Sequence, residues 1–153
     1  MRLMLDTTYL LPAIGVLIKG LPIDAVIKLI EKGHKISISD ITIFELSANG
    51  AKYIATGALT AERVSKGIRS IVYDERISRA PIYESSILLT AFKLRRMLGD
   101  FIDCLIVSSA INQNDALITE DEEIQNLRRN RAFRELLEPI NPKFKIQTLT
   151  DVL

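Results

Sequence analysis

Apolar residues come in short blocks separated by turn formers, and the blocks alternate between strand-like and helix-like spacing. Residues Arg2 to Leu5 read as a short buried strand that ends at Asp6. From about Thr8 the pattern predicts a helix, interrupted by Pro12 and Gly15. Pro22 opens a second helix, with Ile23, Val26, Ile27 and Ile30 on its apolar face and Gly33 as its stop. Ile36 to Ser39 alternates as a second strand does, and Asp40 reads as the cap of a helix carrying Phe44 and Glu45. Thr60 caps a further helix through about Val72, with Glu62 in its favourable first turn.

In the second half, Ile77 to Ile82 reads either as an edge strand or as a loop, because Pro81 limits pairing. Tyr83 to Leu98 is helical, with Ile87, Ala91, Leu94 and Leu98 on one face, and Gly99 ends it. Asp100 to about Gln113 is helical again, and Ala116 to Thr119 is a strand. Asp121 and Glu122 begin a helix through about Leu137, and Phe144 to Leu149 closes with a strand. Strands alternating with helices predict an α/β fold: one three-layer α/β/α domain over 1–153 with a mainly parallel central sheet. No repeat or Gly/Ser/Pro-rich linker divides the chain. In such folds ligands bind outside the carboxyl ends of the strands, so the residues just after each strand are the candidates.

Composition narrows the chemistry. The single cysteine, Cys104, excludes an internal disulfide and a Cys-rich zinc site. The single histidine, His34, excludes an HExxH or multi-His metal site. Any metal must then be held mainly by carboxylates, which favours Mg²⁺ or Mn²⁺. Lys plus Arg is 20 against 19 for Asp plus Glu, a net charge of +1. That argues against a general polyanion binder and leaves room for a local basic patch. The longest apolar run, Tyr9 to Ile18, is about half of what a spanning helix needs. Asp6 interrupts the start as a secretory signal. The expectation is a soluble, cytoplasmic protein with no membrane segment.

Four carboxylates stand at the places the fold singles out. Asp6 follows the first strand, Asp121 follows the strand Ala116–Thr119, Glu45 lies in the helix after the second strand, and Asp103 lies in the first turn of the helix from Asp100. Each has a structural explanation on its own. Asp6, Asp100 and Asp121 are good helix caps, Asp103 suits a first turn, and Glu45 suits a solvated face. Their joint placement points further. Carboxylates brought to one pocket repel each other, and a divalent cation relieves that repulsion.

These segments resemble a PIN-domain ribonuclease, of the kind found as the toxin in VapBC toxin–antitoxin pairs. The resemblance is carried by Met4-Leu5-Asp6-Thr7-Thr8-Tyr9-Leu10-Leu11, Ile43-Phe44-Glu45-Leu46, Asp103-Cys104-Leu105-Ile106-Val107-Ser108-Ser109-Ala110 and Leu117-Ile118-Thr119-Glu120-Asp121, in the family's order. It implies that Asp6, Glu45, Asp103 and Asp121 form the acidic quartet for Mg²⁺ or Mn²⁺. It also implies that the Thr7 and Thr119 hydroxyls order the pocket. Asp100 is either an N-cap, the favoured role, or a further ligand. The stretch Ser47 to Ala80 is longer than in compact toxin members, which bears on partner surface and substrate choice.

The implied activity is metal-dependent hydrolysis of RNA phosphodiester bonds, with an antitoxin protein and a homodimer as expected partners. Lys93, Arg95, Arg96, Arg128, Arg129, Arg131 and Arg134 are candidates for attracting phosphate. The alternative is a non-catalytic RNA- or protein-binding regulatory module with an acidic metal pocket. A haloacid-dehalogenase phosphatase needs Asp where Thr8 stands. Leu21 and Pro22 replace the Lys and Ser/Thr of a P-loop. Thr7 replaces the adjacent acid of a receiver domain.

Overall fold

Leu3, Met4 and Leu5 are all fully buried in β1 (Arg2–Leu5), as expected for a strand covered on both faces. The computed structural model describes residues 1–153. In it β1 is the centre of a five-stranded sheet with β2 (Lys35–Ser39), β3 (Ile77–Ala80), β4 (Ala116–Ile118) and β5 (Lys145–Gln147). The order is β3-β2-β1-β4-β5, and every pairing is parallel. The ambiguous Ile77 segment is thus an edge strand, and the mainly parallel sheet is wholly so.

Side-chain alternation sends neighbouring strand residues to opposite layers. Leu3, Leu5, Ile36, Ile38, Ala116 and Ile118 face one core, with Leu29, Leu46 and Ile71 from the helices above them. Those helices are α1 (Ala25–Glu31), α2 (Asp40–Ala55) and α3 (Ala61–Val72). Met4, Leu117 and Ile146 face the other core, under α4 (Ser85–Leu94), α5 (Phe101–Gln113), α6 (Glu122–Asn126) and α7 (Arg131–Leu137). This is the three-layer α/β/α arrangement. No helix is long and apolar enough to cross a membrane.

Local chemistry moves several boundaries. The segment after Asp6 is a 3₁₀ helix, Thr7–Ile14, which contains Pro12 and closes at Gly15 with φ 99°. Pro22 makes a turn first, accepting from the Ala25 N–H, so α1 starts three residues later than its proline suggests. Its end is a Schellman motif: His34 N–H donates to Leu29 and Gly33 N–H to Ile30, with Gly33 at φ 86°. Ser39, not Asp40, caps α2, its hydroxyl accepting from Ile41 N–H. The helix expected from Asp121 to Leu137 is broken at Asn130, whose side chain accepts from Phe133 N–H and starts α7 afresh. The last strand is shorter than expected, because Thr148 and Asp151 form a capping box that begins α8 (Leu149–Val152).

The long stretch from Ser47 to Ala80 is filled by the rest of α2, by α3 and by β3. Gly67 lets α3 lie directly on the 3₁₀ segment. A Cβ there would stand 2.2 Å from the Ala13 carbonyl oxygen, which belongs to backbone and cannot rotate away. Gly67→Ala is therefore expected to destabilise the fold by about 1–3 kcal/mol, the usual cost of overpacking. Thermal denaturation should show a Tm lowered by several degrees. Gly99→Ala, whose added Cβ meets only Glu123 at 3.6 Å, is the comparison and should shift far less.

Candidate active site

Strand order decides where the site opens. From β1 the chain builds outward through β2 and β3 on one side, and through β4 and β5 on the other. The crevice between β1 and β4 is the topological switch point, where open parallel sheets bind ligands. Leu5 pairs with Ile118, so the next residues, Asp6 and Thr119, leave the sheet side by side. Asp6 N–H donates to Ile118 O at 3.0 Å.

Two threonine hydroxyls organise this edge. Thr119 Oγ1 donates to Asp6 Oδ2 at 2.6 Å and accepts from Asp121 N–H at 3.1 Å. Its donor and acceptor roles are therefore both fixed. Asp6 Oδ1 accepts from Thr7 N–H at 2.8 Å. Thr7 Oγ1 donates to Glu45 Oε1 at 2.6 Å. Thr7 and Thr119 thus hold the carboxylates of Asp6 and Glu45 and the backbone of Asp121. Asp121 Oδ1 accepts from Ile124 N–H and caps α6, while Asp100 Oδ1 accepts from Ile102 N–H and caps α5. The structural roles of Asp6, Asp100 and Asp121 as caps are all present.

Asp103 differs from the others. It lies in the first turn of α5, half-buried, with no hydrogen bond to its carboxylate. Burial pushes its pKa up to about 7, with the charges of Asp100, Asp6, Asp121 and Glu45 adding to the rise. Glu45 is raised, first by burial; Thr7 pulls it down, and Asp6 and Asp100 push it up. Asp6 is raised chiefly by burial, against the hydrogen bonds from Thr119 and Thr7. Asp103 is therefore in electrostatic reach of Asp6, Asp121 and Glu45, and Asp6 of Asp121 and Glu45. They do not form a closed cage: no three stand together closely enough to hold an ion as arranged here. None of the five principal cavities is lined by Asp6, Glu45, Asp103 or Asp121. The cluster lies on an open edge, with Asp100 and Asp121 exposed.

The donor set nonetheless has the chemistry a hard divalent cation needs. It is all oxygen, and Asp103 is an unpaired carboxylate held near neutrality by burial and like charges. Mg²⁺ keeps several waters and needs only one or two carboxylates, so a closed cage is not required. Asp6, Asp103, Asp121 and Glu45 are the residues that would supply those carboxylates.

Other residues fall elsewhere. Tyr9 is 4% exposed and its hydroxyl donates to Glu120 Oε1 at 2.7 Å, so it packs in the core and does not face a ligand. Glu120 was not legible from sequence. The same oxygen accepts from Leu149 N–H at 3.0 Å, tying the C-terminal helix to the segment that carries Thr119 and Asp121. Cys104 is buried in the core, and His34 Nδ1 lies 3.5 Å from the N-terminal amine. Arg131 is engaged by Glu135 at 3.1 Å.

The PIN domain family matches residues 3–130, most of the chain, and this protein belongs to that family. Among solved structures it is similar to VapBC2 from Rickettsia felis, determined bound to a DNA fragment from the promoter. The superposition has a TM-score of 0.61 and covers 97% of this chain and 98% of that one, at 21% identity. At that identity the likeness speaks for the fold. No curated protein sequence matches the chain significantly.

The raised carboxyls have a thermodynamic consequence. Asp103 binds its proton up to about pH 7 when folded but releases it near its ordinary value of 3.8 when unfolded. Its contribution to stability is complete below the unfolded value and is lost as pH rises through 7. Asp6 and Glu45 act in the same sense. In EDTA the Tm should therefore fall between about pH 5 and about pH 8, and Asp103→Asn should flatten that fall. Differential scanning calorimetry across this range checks it; parallel pH profiles for the two proteins would contradict it.

Proposed function

We propose that this PIN-domain protein is a Mg²⁺- or Mn²⁺-dependent endoribonuclease, and the toxin of a toxin–antitoxin pair. The observation that carries the reading is Asp103: an unpaired, half-buried carboxylate facing the charges of Asp100, Asp6, Asp121 and Glu45 at the sheet's switch point. An acidic residue in a first turn favours the helix when it is solvated, but half-buried among four other carboxylates it costs more than that position returns. PIN domains are generally nucleases, and the open edge suits a polymer better than an enclosed small molecule.

On this reading Asp6 and Asp103 hold the cation, and Asp121 and Glu45 act beside them directly or through water. A bound divalent cation supplies neutralisation of the phosphate and a lowered pKa for the attacking water. Both Asp6 oxygens already accept one hydrogen bond each, and each retains further acceptor capacity. Thr119 keeps Asp6 and the Asp121 backbone in fixed relation. Thr7 does the same for Glu45. No histidine takes part. Asp100 serves as the cap of α5.

An antitoxin partner follows by analogy with the VapBC2 complex. For a homodimer, α4 offers exposed Leu89 and Phe92, with Phe92 stacked on Phe101 at 5.9 Å between ring centroids. A second copy could cover these rings and Leu89 together. The protein would work in the cytoplasm, where its RNA substrate is.

The test is cleavage of a mixed-sequence RNA with Mg²⁺ or Mn²⁺. Asp103→Asn nearly conserves volume and should lower the rate at least about 100-fold, and EDTA should abolish it. Thr119→Val should cost about 10–100-fold, the usual effect of removing an outer partner of a metal ligand. Cleavage surviving both Asp103→Asn and EDTA would refute this mechanism. RNA or protein binding without any cleavage would favour the regulatory module instead.

A further inference from the structure

The carboxylate edge repels the very polyanion proposed as its substrate, so phosphate attraction has to come from elsewhere on the chain. A cavity of about 470 Å³ beside the edge strand β5 is lined by Arg128, Arg134, Lys145, Gln147 and Asp151. Its floor is apolar, formed by the buried Phe133 and Phe144 among others. None of the three cations is in an ion pair; the four salt bridges of the chain use Arg2, Lys28, Arg76 and Arg131. Arg128 Nε donates to Gln125 O at 3.3 Å, which orients the guanidinium and leaves its terminal amino groups free of protein acceptors. Arg134 makes no side-chain hydrogen bond at all.

The one carboxylate in the lining is already occupied. Asp151 Oδ2 accepts from Thr148 N–H at 2.8 Å and from Thr148 Oγ1 at 3.0 Å. Those bonds, with the Arg128 charge, hold its carboxyl below the ordinary range. The cavity therefore carries three cations against one committed anion.

Two features join this cavity to the carboxylate edge. Thr119 N–H donates to Gln147 O at 3.0 Å, so the end of β5 is hydrogen-bonded to the residue that fixes Asp6. Arg128 also follows Asp121 by seven residues through α6 and a short 3₁₀ turn, roughly 10 Å along the axis. A single strand held at the carboxylates therefore passes the cations within a few nucleotides.

We propose that Arg128, Arg134 and Lys145 form a phosphate subsite that holds the backbone of a single-stranded RNA on the β5 side of the carboxylate edge. The guanidinium fork matches phosphate oxygens, and Lys145 adds a point charge. The identity of the strand as substrate rests on the nuclease reading above; the subsite itself rests on the cavity and its unpaired cations. It touches no base, so it sets affinity and strand path, not sequence choice.

The test is fluorescence anisotropy with a labelled single-stranded RNA oligonucleotide, in the Asp103→Asn background with Mg²⁺, across a series of salt concentrations. Arg134→Gln combined with Lys145→Gln changes two exposed side chains and should weaken binding about tenfold. It should also reduce the salt slope by about 0.7 for each phosphate that is no longer neutralised. Lys66→Gln with Arg69→Gln, on α3, should leave both quantities unchanged. Unaltered affinity in the cavity variant, or an equal weakening in the α3 variant, would overturn the subsite. So would poly-glutamate binding as tightly as RNA and weakening in the same cavity variant, because the cavity would then serve an acidic protein segment. Weakened RNA binding in the cavity variant, with no cleavage by the wild-type protein, would support the subsite while refuting the nuclease.

Discussion

A hydroxyl-to-carboxylate hydrogen bond of 2.6 Å joins Thr119 to Asp6, residues 113 apart in sequence. It is buried and charge-assisted, a class of bond with a net contribution of about 1.5–3 kcal/mol. It exists only because β1 and β4 are adjacent and in the register that pairs Leu5 with Ile118. From it the rest of the edge follows. The same hydroxyl accepts from Asp121 N–H, Asp6 accepts from Thr7 N–H, and Thr7 passes the arrangement on to Glu45. A chain of short polar bonds thus converts strand register into the relative placement of carboxylates that follow β1, β2 and β4.

That placement is electrostatically expensive. Burial raises Asp6, Glu45 and Asp103, and mutual repulsion adds to the burden on each. Natural folds carry such clusters where function needs them and offset the cost elsewhere. Here the offset is a fully covered parallel sheet with apolar residues on both faces. Asp103 alone among these carboxylates has no hydrogen-bonded partner, so on the proposed reading it would gain most from a bound cation. The cations near β5 answer the complementary problem, since an acidic edge cannot by itself attract phosphate.

Asp6, Asp103 and Asp121 were legible because each follows a strand or opens a helix, positions visible as breaks in apolar periodicity; Glu45, inside α2, was legible only through the segment Ile43-Phe44-Glu45-Leu46. Asp100 and Asp121 read correctly as caps, which is local chemistry. Asp40 did not: Ser39 stands one residue nearer the strand and takes the cap. Asn130 interrupts a pattern whose apolar spacing continues through it, because a side-chain oxygen competes well for a free backbone N–H. Thr148 ends β5 early for the same reason. Glu120 could not be read at all. Its partners, Tyr9 and Leu149, come from opposite ends of the chain.

By itself the sequence determined the alternation of strands and helices, the three layers, and the carboxylates that follow β1 and β4 or open α5. Those follow from periodicity, capping and turn chemistry, which act over a few residues. Only the tertiary structure decided which side chains meet. It gave Thr119 to Asp6, left Asp103 without a partner, tied Glu120 to both Tyr9 and Leu149, and gathered Arg128, Arg134 and Lys145 around one cavity. The reason is range. Hydrogen bonds between residues distant in sequence, and the burial that shifts a carboxyl, depend on strand order and register, which local spacing does not encode.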